Sequence, residues 1–453
     1  MTVDTTTPPH APGRLPVVGH VLPLLRDRLA FMQEVRGHGD VVQIRVGPRP
    51  VFVVNSPELI REILTAQSAN FSKGRLFDKL RLFGGSPLPV ADGPHHLQRR
   101  RLMQPSFHRE RINSYIDRMG TTAQDALRAW EDGARLDVLH EMQLMTQGIV
   151  MSVLFSTIPG RDPAQAIMSS VDTVFQAAIR RAVVPVSGWE RLDLPGNRRL
   201  RAANALLRRT VSDIVTARRA DPDAHDDIVS LLLEARDEEG LPLDDEEILS
   251  EITGLLAAGS ETAAVTMAWL FHELGRNPGL EERLHQEVDA VLAGGQPTAD
   301  HLPRLDLTRR LVTETLRLHN AAWIVTRRAT VPVRLGAALL PAGADLVWSP
   351  YALHRDPELH PDPLRFDPDR WLPERPQPPR GAYIPFGAGK RMCIGDGFTW
   401  AETTVLTALI ASRWTLRHAP GTTVRPVPAI TVHPSSLHMI AEARGHAAAR
   451  EAA

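Results

Sequence analysis

The stretch Phe386-Gly387-Ala388-Gly389-Lys390-Arg391-Met392-Cys393-Ile394-Gly395 sets the chain's one cysteine among glycines. A helical pattern begins just after it and runs over 398–413. Glycines at 387, 389 and 395 permit a loop whose backbone N–H groups point at the sulfur. Those donors, and the N-terminus of the following helix, favour a thiolate over a thiol. A thiolate so placed suits axial ligation of haem iron, where it pushes electron density toward O–O cleavage. Arg391 is close enough in sequence to reach a haem propionate, and Phe386 can shield the sulfur. The competing reading is a buried, inert cysteine beside a glycine-rich turn, and the loop alone does not choose between them. A phosphate-binding P-loop is excluded. The residue after Lys390 is Arg391 rather than Ser or Thr, and Ile384 stands where the first glycine is required.

Composition narrows the class. With 453 residues, 43% hydrophobic and 23% charged, the chain is an ordinary globular protein rather than a disordered or fibrous one. The net charge of −1 gives no basic excess for nucleic acid. Only Lys73, Lys79 and Lys390 are lysines; the other 49 basic residues are arginines, which make rigid, bidentate anion sites. One cysteine allows no internal disulfide and no all-cysteine metal site, as expected of a reducing compartment. The start of the chain is polar, and no run of about 18 apolar residues occurs. A cytoplasmic protein without a membrane anchor is expected.

Periodicity divides the chain into elements of unequal kind. Residues 1–14 read as a loose tail, and 41–46 with 51–54 as a β-hairpin. Ser56-Pro57-Glu58 reads as a helix start. From 94 to 290 the pattern is mainly helical, with breaks at 159–163 and 193–196 and one long apolar helix over 245–275. A helix follows at 305–318. Short strands are expected at 331–335, 337–340, 429–432 and 437–441, with a long meander over 354–392. The fold class is mainly α with a small β region, in a single domain.

Several constellations stand out. His96 and Arg100 share one face of a helix that begins at Asp92-Gly93-Pro94. Glu261-Thr262 interrupts the apolar helix, and the flanks predict that both are buried; a buried carboxyl needs a partner or a task. The Thr hydroxyl can bond back to the preceding turn and bend the helix. Glu314 and Arg317 form an i,i+3 pair of a kind that usually lies on a helix surface. Arg327-Arg328 leads into a strand. His354-Arg355-Asp356 resembles part of a kinase catalytic loop but lacks the asparagine, since Pro361 stands there, and reads as a structural turn.

The cysteine stretch resembles the haem-binding signature of the cytochrome P450 family, Phe-x-x-Gly-x-Arg-x-Cys-x-Gly, at all five fixed positions. The resemblance runs from Pro16 to about His438, with the family's motifs in the family's order. It implies the cytochrome P450 fold as one haem domain over 15–443, between tails at 1–14 and 444–453. It implies haem b with Cys393 as metal ligand, and His96, Arg100, Arg327 (or Arg328), Phe386, Arg391 and Gly395 around it. It makes Glu314, Arg317 and Arg370 a structural network that holds the cysteine loop. It makes Glu261 and Thr262 the catalytic pair that relays protons for oxygen activation. Asn320-Ala321 departs from the family's usual prolines.

The implied function is a haem-thiolate monooxygenase of secondary metabolism acting on a hydrophobic small molecule with O2. Electrons would come from a ferredoxin and its NAD(P)H-dependent reductase, with Arg99 and Arg101 among the residues that meet that partner. The expected pocket wall, 83–90, 175–184, 255–258, 322–325 and 435–437, is mostly apolar. The opening segments look most like soluble actinobacterial members, some of which oxidise sesquiterpenes, so the resemblance implies a terpenoid substrate, with a fatty acid or polyketide as the alternatives. A peroxide-driven or isomerising haem-thiolate enzyme, and a non-catalytic haem sensor, are the alternatives; neither explains Glu261-Thr262.

Overall fold

The computed structural model describes residues 7–156, 161–183, 194–221, 226–236 and 240–445. The expected helix breaks lie partly outside these residues; helices Arg161–Val183 and Pro195–Ala220 begin directly after the gaps. Two compact units, each assembled from separate segments, make up the fold.

The first unit holds 1–75, 310–393 and 425–435. Its frame is a five-stranded sheet in the spatial order Val41–Val46, Arg49–Val54, Asp345–Trp348, Val325–Ala329, Phe71–Ser72. The expected hairpin forms, with Val41 opposite Val54 and Val42 opposite Val53. Side chains alternate across a strand, so neighbours enter different cores. Val41, Phe52 and Val54 pack with Ile60, Ile63 and Leu346. Val42, Ile44 and Val53 pack with Met32, Val35 and Val432 on the other face. Asp345–Trp348 is a strand that sequence periodicity did not show. It pairs parallel to one neighbour and antiparallel to the other.

Two expectations in this unit need correction. Of the strand expected over 429–432, residues 429–431 are the turn of a hairpin between Pro426–Pro428 and Val432–Pro434, and only Val432 is in a strand. The N-terminal tail is shorter than expected: Gln43 N–H donates to Pro9 O (2.7 Å) and Ala11 N–H to Gln43 O (3.0 Å). The outer edge of Val41–Val46 has backbone groups that need partners, and 9–11 supplies them.

The second unit holds 76–309, 394–424 and 436–453 and is nearly all helix. At its centre lies Asp245–Arg276, opened by a capping box in which Asp244 and Glu247 satisfy each other's backbone N–H. By length and composition this helix alone, among those described, is apolar enough to span a membrane. Its apolar residues are used inside the protein, where Ile252, Leu256, Ala264 and Met267 are buried. Val138–Phe155 packs along it, and Thr146 Oγ1 donates to Ser260 O at 2.9 Å. Asp396–Arg413 packs on Arg109–Leu127 through Phe398 and Tyr115. A small sheet, Arg135–Asp137, His438–Ala443, Trp414–His418, completes the unit. Arg444, assigned above to a C-terminal tail, pairs with Asp289 (2.7 Å). The rest of that tail, from 446, lies outside the described residues.

Candidate active site

In the first unit, the cysteine loop takes the shape its glycines allow. Gly387 and Gly389 lie at φ +72° and +67°, a region costly for any residue with a Cβ. Cys393 N–H closes the loop on Phe386 O at 2.9 Å, and Gly387 N–H donates to Ile384 O at 3.1 Å. The Cys393 side chain is exposed, while Phe386 and Arg391 are half-buried. The cysteine is thus not buried. Three residues on in sequence, Asp396–Arg413 begins at Gly395 with no side-chain cap on its first amides.

What stiffens this loop is the network on Glu314. The carboxylate, fully buried, accepts from Arg317 Nε and Nη2 (2.9 and 2.8 Å), Arg370 Nε (2.9 Å), Trp371 Nε1 (2.9 Å) and Asp367 N–H (2.9 Å). Arg317, also fully buried, donates onward to the carbonyls of His354 and Pro363, both at 2.8 Å. A surface i,i+3 pair does not look like this. Two guanidiniums, an indole and a backbone amide saturate one carboxylate, which is the condition for burying charge.

His354 carries the network to the loop. Its Nε2 accepts from Ile384 N–H at 3.0 Å, two residues before Phe386. Complete burial, together with the nearby His360 and arginines, holds its pKa well below 6.5. The ring is therefore neutral and can act as an acceptor. The stretch read as a turn is structural, but His354 and Trp371 are network members that local sequence did not reveal. Asn320 also finds its purpose. Its Nδ2 donates to Leu316 O (3.2 Å) and its Oδ1 accepts from Ala322 N–H (2.8 Å), so an amide closes the turn after the helix Asp306–Leu318.

Strand alternation separates the two adjacent arginines. Arg327 is buried with its guanidinium 5.4 Å from the centre of the Trp348 ring, and its Nη1 donates to Thr326 O. Arg328 instead pairs with Asp345 at 2.9 Å.

In the second unit, Glu261 and Thr262 sit midway along Asp245–Arg276, and Thr262 Oγ1 donates to Ala258 O at 2.9 Å. The expectation that both are buried is corrected: Glu261 is half-buried and Thr262 exposed. The 3.6-residue period explains it, since Leu255, Ala258 and Thr262 form a stripe opposite buried Ile252, Leu256, Ser260 and Ala264. Asp172, on Arg161–Val183, has a carboxyl pushed up by partial desolvation and by the charge of Glu261, so a second acid lies near Glu261.

On Gly93–Met103, capped by Asp92, His96 is buried and Arg100 half-buried. Arg99 corrects the expectation that it meets a partner, because it is buried and pairs with Glu247. Arg101 is exposed and borders a cavity of about 410 Å³ with Gln98, Leu102 and Arg236. Of the expected pocket wall, the side chains of 83–84 and 181–184 lie outside the described residues.

A cysteine presented by a glycine loop, braced by a saturated Glu-x-x-Arg carboxylate, and an acid–alcohol pair on a long helix are now in place. The cytochrome P450 family model matches residues 8–440. The chain belongs to the cytochrome P450 family.

Among its relatives, cyclooctat-9-en-7-ol 5-monooxygenase of Streptomyces melanosporofaciens is 41% identical over 96% of this chain and 95% of that protein. Pentalenene oxygenase of Streptomyces avermitilis is 40% identical over 96% of this chain and 97% of that protein. The crystal structure of the cytochrome P450DA heme domain superposes with a TM-score of 0.87 at 25% identity, covering 97% of this chain and 98% of the other.

The protein is therefore a P450 monooxygenase, of the haem-thiolate iron family that oxidises hydrophobic substrates with O2 and a redox partner. The residues present fit such a P450 group. A soft sulfur donor is exposed on a loop held from behind, and Arg327 is a buried cation on the same unit.

Proposed function

We propose that this P450 holds haem b through the thiolate of Cys393 and oxidises a terpenoid. The exposed sulfur on the braced loop carries the assignment of the ligand. When bound, the haem supplies the activation of O2. Arg327, Arg391, His96 and Arg100 hold its propionates, with Arg327 chosen over Arg328 because Asp345 already occupies the latter. Phe386 shields the sulfur, and Gly395 leaves room for it. Thr262 keeps its hydroxyl hydrogen on Ala258 O and offers the oxygen on the exposed stripe to accept from and position a proton donor there, while Glu261, one residue earlier, supplies protons from solvent.

The terpenoid class is supported by the two Streptomyces relatives whose names specify such substrates, at 40–41% identity. Electrons are assigned to a soluble ferredoxin and its NAD(P)H reductase. A thiolate ligand in a chain with one cysteine suits the reducing cytoplasm.

Two measurements test this. Reduced protein with carbon monoxide is expected to show a strongly red-shifted Soret band that Cys393→Ser abolishes; a band unchanged in the variant overturns the ligand. Pentalenene and cyclooctat-9-en-7-ol, titrated into the oxidised enzyme, are expected to displace water and shift the Soret band, and to gain one oxygen on turnover with ferredoxin. Fatty acids bound and oxidised in their place would overturn the terpenoid class.

A further inference from the structure

We propose that the second unit carries a copper(I) site where its long helix ends against its small sheet, with His272, His418 and Met439 as ligands. The proposal is independent of the substrate assigned above. His272 stands near the end of Asp245–Arg276, and His418 closes the strand Trp414–His418. Their rings meet at 85°, with His272 Nδ1 and His418 Nε2 2.8 Å apart. The backbone sets the tautomers. The His418 ring donates to the backbone of Gly275, and it is Nδ1 that faces this residue, since a Cβ there would lie 3.1 Å from Nδ1. His418 Nε2 is therefore the acceptor, and His272 Nδ1–H donates to it. Two imidazole nitrogens thus converge on one point. Burial favours the neutral form of His418, which is the form that binds metals. Both rings are half-buried, so solvent reaches them.

Met439 supplies a third donor. It lies directly opposite His418 in the antiparallel pair, so both side chains leave the same face of the sheet. A Cβ at Gly275 would meet Met439 Cε at 2.7 Å and His418 Cε1 at 3.1 Å, which sets the thioether and the imidazole around one small space. Glycine within a helix is less favourable than alanine, and here a methyl group would fill that space.

The donors select the ion. Zinc takes sulfur as a thiolate, whereas a thioether with two imidazoles suits soft copper(I). Bonds of about 2.0 Å at a trigonal angle hold two nitrogens about 3.4 Å apart, so the rings need to part by only about 0.6 Å from their 2.8 Å contact. His272 moves its proton from Nδ1 to Nε2, and the protein neither gains nor loses charge. Arg276, whose charge acts on His418, is paired with Glu273 at 3.6 Å. The bound ion would tie the end of the helix to both strands.

The test uses full-length, haem-loaded protein without a histidine tag, equilibrated without oxygen against copper(I) supplied as its acetonitrile complex. Copper per haem and the thermal midpoint are read. One tightly held copper per chain is expected, with a midpoint that rises with copper concentration. Met439→Leu keeps the core volume and should weaken binding by about tenfold, and His418→Gln by about a hundredfold, with the haem spectrum unchanged in both. A parent that holds no more copper than His418→Gln overturns the proposal. So does a Met439→Leu variant that binds copper like the parent, and this arm decides if His418→Gln folds poorly. Zinc bound more tightly than copper(I) would also overturn it.

Discussion

Single residues show how far environment alters chemistry in this chain. Glu314 and Glu402 are both fully buried carboxyls. Glu314 has five donors, whereas neither oxygen of Glu402 has a hydrogen-bond partner, and burial pushes its pKa well up. Burial therefore favours its neutral form, and an unsatisfied buried polar group costs on the order of 1–3 kcal/mol. Glu402→Met is expected to raise stability at pH 7 by about that amount, read from the denaturant midpoint at constant slope. Because the folded pKa is raised, the carboxyl's unfavourable effect grows as pH rises from 4.5 through the folded pKa, so the gain should shrink in acid. Thr262 tests the chemistry instead. Thr262→Ala removes the hydroxyl from the exposed stripe, and product formed per NAD(P)H consumed should fall by about tenfold or more, with hydrogen peroxide released. Unchanged coupling would mean that protons arrive elsewhere.

At the scale of elements, the decisive device is the tie between the helix Asp306–Leu318 and the meander. Arg317 reaches the carbonyls of His354 and Pro363, Arg370 reaches Glu314, and the His354 ring receives Ile384 N–H. Removing the carboxylate leaves two guanidiniums uncompensated, one of them fully buried. Glu314→Ala should cost about 3–5 kcal/mol and yield little soluble haem-loaded protein. A variant that folds and loads normally would contradict the structural role. From sequence, the pair could be named but its depth could not. The i,i+3 spacing is the same on a wet helix face and in a dry core, and only the packing of residues 354–371 removes the water. The reverse holds for Glu261-Thr262, where apolar flanks predicted burial and helical periodicity left the pair on an accessible stripe.

Over the molecule as a whole, titration should be governed by neutral histidines. Burial holds His285 and His360 down to about 4, and His354 well below 6.5. A histidine depressed in the folded state takes up its proton more readily when unfolded. Its contribution is present above 6.5 and is lost as pH falls through the folded pKa. His360→Gln should therefore flatten the stability profile between pH 6.5 and about 4, by up to about 1.4 kcal/mol per pH unit. Chemical denaturation at pH 7, 6 and 5 checks this, and parallel profiles for parent and variant would refute it. The 49 arginines behave differently, since they stay charged throughout this range.

Much of the architecture was legible locally. Glycines at 387, 389 and 395 around one cysteine, the helix start at Ser56-Pro57-Glu58, the alternation over 41–54 and the apolar run of the long helix are patterns within a few residues, and local sterics decide them. The strand Asp345–Trp348 was not legible, because it is fixed by partners nearly 300 residues earlier and by the strand Val325–Ala329, beyond an intervening hairpin. Nor were the burial of Arg327 against Trp348 and the pairing of Arg328 with Asp345, which depend on where those two partners lie. By itself the sequence determined which groups are available, among them the one thiol, the Glu261-Thr262 pair and the Glu314/Arg317 spacing. Only the tertiary structure decided which of them are dry, paired or presented, because desolvation and hydrogen-bond saturation come from residues far apart in the chain.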